Sequence, residues 1–395
     1  MKSLKKLLDQ IKPHFEAGGK FEKLHSTYDA FSTFLFVPDE VAPAKGAHIR
    51  DANDMKRAMF MVIVAMTPAL LFGVWNAGYQ HDLAFGLQSG WLQQFLFGLW
   101  RFLPLVVVSY VVGLGIEFGV AQARGHEVNE GFLVSGMLIP LIMPIDIPLW
   151  MVALATAFSV IFVKEIFGGT GMNIWNPALV ARAFVFFAYP TAISGDKVWV
   201  AGLQDGLKTV DGFSGATPLA MASASITDGS TVEQLTSGLP SVFDMFLGLI
   251  PGSIGETSTL AILLGAALLL FTGIASWRIM LSVFAGGAFM GLVFNLFAVN
   301  TYMALPFWYH FVMGGFAFGA VFMTTDPVSG SQTSTGKWVY GFLIGVLAVL
   351  IRVLNPAYPE GMMLAILFMN TMAPLVDHYV VEANIKRRLR RVAKL

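Results

Sequence analysis

Along most of this chain apolar residues run in long blocks, with polar residues confined to the joints between them. A helix that crosses the ~30 Å hydrocarbon layer of a bilayer needs ~20 largely apolar residues. Ten stretches fit, some of them short: 57–76, 98–118, 131–146, 148–164, 177–190, 257–274, 278–298, 306–323, 337–354 and 361–378. The pattern predicts an all-α integral membrane protein of about ten transmembrane helices. Three regions lie outside it. In residues 1–56, Leu4, Leu7, Leu8 and Ile11 share a helical face opposite Lys5, Lys6 and Lys12. That arm suits the membrane surface or a docking partner, a solvated basic tail being the alternative. Residues 191–256 form a long polar segment, within which 241–251 is too short to span and reads as a half-helix in the interface. Residues 379–395 form a basic tail.

Charge placement orients this plan. With the N-terminus in the cytosol, twenty basic residues lie inside and four (Arg101, Lys197, Lys208 and Arg352) outside, while Arg182 falls within the fifth stretch. Excess Lys and Arg mark the cytosolic side. Both termini then face the cytosol, the number of crossings is even, and 191–256 faces outward. An internal repeat fits the count. Asp146 precedes a Pro break at the end of the third stretch and Asp326 another after the eighth; Asn176-Pro177-Ala178 and Asn355-Pro356-Ala357 follow thirty and twenty-nine residues later. Two five-helix units, 57–190 and 257–378, would be inverted relative to each other, because an odd number of crossings separates them. Inverted repeats place an ion or substrate path near the midplane, at broken helices.

Composition narrows the chemistry. Hydrophobic residues make up 56% of the 395 and charged residues 13%, with a mean hydropathy of +0.67, so the chain is built for lipid rather than for a soluble fold. There is no cysteine, and the seven histidines show no metal-ligating spacing. Disulfides, thiolate nucleophiles and cysteine-ligated clusters are excluded, and no metal site is expected. Charge interrupts the N-terminus too often for a cleavable signal peptide. No G-x-G-x-x-G follows a strand, so NADH is not expected to bind this chain. A nucleic-acid partner is not expected either.

Two features carry candidate chemistry. The first is Asp211-Gly212-Phe213-Ser214-Gly215-Ala216-Thr217, a small-residue loop in the outward segment. Its glycines let the backbone turn and a bulky group approach, Ser214 and Thr217 present hydroxyls, and Asp211 can hold a divalent cation or orient a hydroxyl. An ordinary turn is the alternative. The second is a short set of ionisable residues at membrane depth, each costly enough there to be a functional candidate: Glu117, Asp146, Arg182, Asp326 and Asp377. Carboxylates and carbonyls freed at Pro breaks suit a hard cation, and solvated or capping roles are the alternatives. For Arg182, snorkelling, pairing with a carboxylate and contact with a cofactor all remain open.

The loop D-G-x-S-G-A-T resembles the flavinylation motif of a family that contains the B-type subunit of the Na⁺-translocating NADH:quinone oxidoreductase and the D-type subunit of the Rnf complex. Gly168–Phe184, G-G-T-G-M-N-I-W-N-P-A-L-V-A-R-A-F, resembles that family's loop into the fifth helix, and the likeness covers essentially the whole chain. The resemblance implies FMN joined through a phosphoester to Thr217, with Asp211, Ser214, Gly215 and Ala216 around it. A flavin transferase would install it outside the inner membrane of a bacterial cell. It also implies a non-covalent riboflavin lined by Asn173, Asn176, Phe184 and Phe186; Asn before Pro as a helix cap, and Phe as packing, are the alternatives. Quinone would approach Gly113 and Glu117, with Phe31, Phe34 and Phe36 of the arm nearby, and Na⁺ handling would involve Glu117, Asp326 and Asp377. Partners would include an FMN-carrying subunit outside and an NADH-oxidising subunit in the cytosol. The expected function is electron transfer from FMN through riboflavin to quinone, driving Na⁺ outward. The arm favours the quinone oxidoreductase over the Rnf complex, and a channel or secondary transporter is the rival from another class.

Overall fold

Helices account for the regular structure of the described residues, with no strand among them. The computed structural model describes residues 2–16, a few positions up to 32, and 55–392 apart from 126–130, 207, 356, 357 and 359. Phe31, Phe34 and Phe36, and the Pro356-Ala357 part of the second N-P-A, lie outside the described residues. The arm begins with helix α1, Lys2–Ile11. Each of the ten apolar stretches falls on helical residues. They divide by length into two classes.

Five helices are long and apolar enough to cross a membrane: Arg57–Phe85 (within α2, Met55–Phe85), α3 Trp91–Arg124, α9 Trp277–Leu296, α10 Ser334–Leu354 and α11 Met362–Val392. The others are α4 Phe132–Ile142, α5 Leu149–Ser159, α6 Pro177–Ala188 and α8 Thr259–Phe271. The segment 191–256 adds α7, Pro218–Asp228. Eleven residues rise about 16 Å, half the hydrocarbon thickness, so α4, whose last turn is buried, ends inside the protein, while α5 runs on through a π-helical turn to Glu165. Proline sets several of the ends: Met143 is extended before Pro144, and Pro148 and Asn176-Pro177 open α5 and α6. A residue before proline is pushed out of the helical region, and proline itself fits the first helical turn.

The predicted helix over 306–323 is not continuous. It is three short pieces, Tyr309–Val312, Phe316–Phe318 and a π-helical turn Gly319–Met323, broken at Gly314, whose φ is +62°. The apolar residues of the last two pieces are all buried. α4 is nearly as buried, whereas α3 turns Trp91, Trp100, Leu103 and Val111 outward. Broken helices fill the centre and continuous ones face lipid, because only enclosed backbone can leave its ladder without losing hydrogen bonds to hydrocarbon.

Small residues set the closest packing. Along α9 and α10, side chains at Gly286, Gly341 and Gly345 would run into Phe342, Ser282 and Val283 of the facing helix. Gly341 and Gly345 form a G-x-x-x-G step, which lets helix backbones approach in a membrane. The segment 241–251 does contain a short helix, Val242–Leu247, capped by Ser241. Beyond the predicted 361–378, α11 continues unbroken to Val392.

Candidate functional site

Thr217 is the N-cap of α7: its backbone is extended, and its hydroxyl accepts a hydrogen bond from the Ala220 N–H at 3.2 Å. Proline at the first helical position completes this start signal. The preceding loop is shaped by Gly215, buried with φ +70°, where a Cβ would come within 2.6 Å of the Asp196 carbonyl oxygen and 2.7 Å of Leu203. Only glycine meets both conditions. Ser214 Oγ accepts from the Ala216 N–H at 3.3 Å, closing a local turn, while Asp211 is exposed. Phe213 packs on Ala84, Val200 and Leu203, and the Val210 N–H donates to the Ala84 carbonyl at 2.9 Å, so the end of α2 holds the loop.

Beside Thr217 opens a cavity of about 410 Å³, within the range of small-molecule sites. Phe186 and Trp199 supply aromatic surface and Ser253 and Tyr358 polar groups, while Arg182, Glu256 and Glu360 line its wall. Arg182 Nη1 reaches Glu256 Oε1 at 2.7 Å and its Nη2 reaches Glu360 Oε1 at 2.6 Å. Its guanidinium also lies 5.9 Å from the Trp199 ring centroid. Ser253 donates to Glu256 at 2.5 Å and the Tyr358 hydroxyl to Glu360 at 3.1 Å. Burial pushes the Glu360 carboxyl up to about 7 against the pull of Arg182, and pushes the Tyr358 hydroxyl well above its ordinary value. Behind them Arg352 is fully buried, donating to the His310 carbonyl at 2.7 Å and to the Glu360 carbonyl at 3.3 Å. A fully buried charge is costly unless paired and hydrogen-bonded. Both carboxylates pair with Arg182, whereas Arg352 meets only backbone carbonyls and its Nη2 has no partner among the described residues.

A second cavity, of about 110 Å³, lies at the other end of α6 and is lined by Asn173, Asn176, Pro177, Lys164 and Asp326 among others. α6 therefore runs between the two sites: Pro177 borders one, while Arg182 and Phe186 border the other. Asn176 caps α6, accepting from the Ala178 and Leu179 N–H groups at 3.0 and 3.3 Å, and Asn173 donates to the Trp175 carbonyl at 3.0 Å. The four residues expected to share one flavin are thus separated. Asn173 and Asn176 face the second cavity, Phe186 the first, and Phe184 stacks on Phe158 with ring centroids 4.6 Å apart.

Next to the second cavity, Glu117 is 4% exposed and accepts from Lys164, leaving its Oε2 without a partner among the described residues. Lys164 is brought there by a π-helical turn, Val160–Glu165, in which an extra residue per turn buries Lys164 and Glu165 together. Arg124 donates to the Glu165 carbonyl at 3.0 Å. Such turns are rare and favour functional positions. Gly113, one turn before Glu117, leaves room for the Phe132 ring. Asp326 closes a tight turn, accepting from Val328 N–H at 3.1 Å and Ser329 Oγ at 2.7 Å. Asp377 is saturated: it accepts from Ser331 Oγ and Gln332 N–H at 2.7 Å, and from Thr333 Oγ1 and N–H at 2.6 and 3.0 Å. It ties α11 to the turn before α10. Asp146 pairs with Arg101 at 3.4 Å and accepts from the Gly202 N–H at 2.5 Å.

Sequence reading missed Lys164, Glu256, Glu360 and Arg352 as site residues: the two basic residues entered only the count of charge on each side, and neither glutamate was singled out. One signal was available: Glu256 and Glu360 each stand one residue before a predicted span, at 257 and 361. What drew them inward is Arg182, whose partner requirement no local pattern reveals.

A profile of the NQR2, RnfD, RnfE family matches residues 43–386. Full-length relatives are similar as well. Proteins named as the B-type subunit of the Na(+)-translocating NADH-quinone reductase, from Chromohalobacter salexigens, Azotobacter vinelandii and Pseudomonas aeruginosa, are each 49% identical to this chain. The first alignment covers 99% of this chain and 97% of the relative, the other two 98% and 99%. By the extent of both matches, this chain belongs to the NQR2, RnfD, RnfE family.

Proposed function

We propose that this chain is the flavin-bearing membrane subunit of a Na⁺-translocating NADH:quinone oxidoreductase, with FMN joined through its phosphate to Thr217. The observation that carries the reading is the placement of the Thr217 hydroxyl, on a helix cap at the wall of a cavity lined by aromatic and charged groups. Full-length relatives of that name favour this complex over the Rnf complex. The site residues fit the group. Gly215 keeps the loop thin, and Trp199 and Phe186 offer flat apolar faces on which an isoalloxazine would pack. When bound, flavins supply the electron carriers between NADH and quinone. A non-covalent riboflavin would approach Asn173 and Asn176, although the second cavity there, at about 110 Å³, is smaller than a typical small-molecule site and would have to widen to admit it, and quinone would approach Gly113 and Glu117. The unpartnered Oε2 of Glu117 and the carbonyls of the broken helices would offer oxygens to Na⁺, with the Lys164 ammonium competing for the same carboxylate. Asp326 and Asp377 serve there by fixing turns.

The chain is a multi-pass protein with both termini in the cytosol and 191–256 outside, in a bacterial inner membrane. It works beside an FMN-carrying subunit outside and an NADH-oxidising subunit inside, and is matured by a flavin transferase. The test is in-gel flavin fluorescence after denaturation of chain expressed with such a transferase. Native chain should give a fluorescent band and Thr217→Ala none. Thr217→Ser, which keeps hydroxyl and cap, separates loss of attachment from loss of the cap, worth about 1 kcal/mol. A band that survives Thr217→Ala sinks the assignment.

A further inference from the structure

We infer that the end of α11 is a docking surface for an acidic helical segment of another subunit of the same complex. The inference rests on the multisubunit reading above. Asp377 holds α11 against the turn at 331–333, which marks where this helix leaves the bundle. From there α11 continues for fifteen residues to Val392, about 22 Å of helix. The headgroup zone on one side of a bilayer is only roughly 6 Å deep, so most of this length stands clear of lipid. Residues 383–392 are exposed throughout.

Its two faces differ. Val381, Ile385, Leu389 and Val392 are 47%, 51%, 63% and 69% exposed. At 100° per residue they fall within an arc of about 80°, with the 3–4 spacing of a helix-packing seam. Around that stripe stand Lys386, Arg387, Arg388, Arg390 and Arg391, five cations in six residues. The acidic residue of this stretch, Glu382, is already paired with Lys386 at 2.6 Å. Excess cytosolic charge needs only the cations. The apolar stripe is unexplained by it, and it points where there is no hydrocarbon. A helix that carries its own apolar seam and acidic flanks satisfies both faces, which selects protein over membrane as the occupant.

The experiment uses the assembled complex with a photo-crosslinking amino acid at Leu389. Illumination should join this chain to one other subunit, at a segment rich in Asp and Glu. The yield should fall at least tenfold when Arg387→Glu and Arg388→Glu are combined, and should also fall with rising salt. Adducts only with lipid, only with this chain's own arm, or with nothing in an intact complex would overturn the proposal, as would a yield indifferent to charge reversal. Failure of the chain to purify with any other subunit would instead count against the multisubunit reading, so the two failures are distinguishable.

Discussion

At the scale of single residues, the chain shows how burial decides the meaning of a charge. Lys164 reads as a loop cation by its position at the end of a span, yet it is buried against Glu117 because a π turn rotates it inward. Removing one partner of a buried pair leaves the other charge uncompensated, at a cost of about 3–5 kcal/mol. Glu117→Gln and Lys164→Met should each destabilise the detergent-solubilised protein by that order, measured by thermal unfolding. The double variant should cost much less than the sum of the two. Strict additivity would show that the pair carries no shared energy. Asp377, Asp326 and Asn176 differ from Glu117, since backbone and hydroxyl donors of adjacent turns already engage their oxygens. Residue type alone does not separate these two cases.

At the scale of elements, apolar length was legible and continuity was not. The stretches 57–76 and 98–118 belong to helices that run well past them, because the flanking residues remain good helix formers and meet no break until Gly86 and Gly125, both at positive φ. The stretch 306–323 has the right composition but carries Gly314-Gly315, and the chain bends there around Arg352 and Glu256. The α9–α10 pair illustrates the opposite case, two uninterrupted helices whose approach depends on glycine. Gly345→Leu should overpack this contact by about 1–3 kcal/mol and lower the midpoint of thermal unfolding in detergent. Gly115→Ala, with nothing within 4 Å of the added Cβ, should leave it unchanged or slightly raised. Equal effects of the two would mean that the α9–α10 contact is not tight.

At the scale of the whole molecule, α6 joins two sites whose residues are scattered along the sequence without a sign of which belong together. Arg182 from the first unit holds Glu256, the last residue of the 191–256 segment, and Glu360 from the second unit, so the wall of the larger cavity exists only when all three are assembled. Trp175 and Thr371 add a hydrogen bond of 2.8 Å between the two units. Opposite sidedness of the two ends is the consequence to check. In intact cells, a cysteine at exposed Ser214 should react with an impermeant maleimide, while one at exposed Val392 should react only after the membrane is opened. Labelling of both positions from the same side would contradict the outward placement of the loop.

Composition, apolar block length and basic-residue placement determined the class of protein, its helical stretches and its expected sidedness, because the hydrocarbon layer imposes a length and a charge rule that act locally along the chain. The small-residue loop ending at Thr217 was legible for a related reason, since Gly215 and the Thr-Pro helix start are conformational demands of adjacent residues. Tertiary structure alone decided which charges meet, where the helices break and which candidates share a cavity. Those outcomes depend on partners far apart in the chain, as with Arg182 and Glu256, 74 residues apart. The desolvation of each such group is settled only when the broken helices close around it.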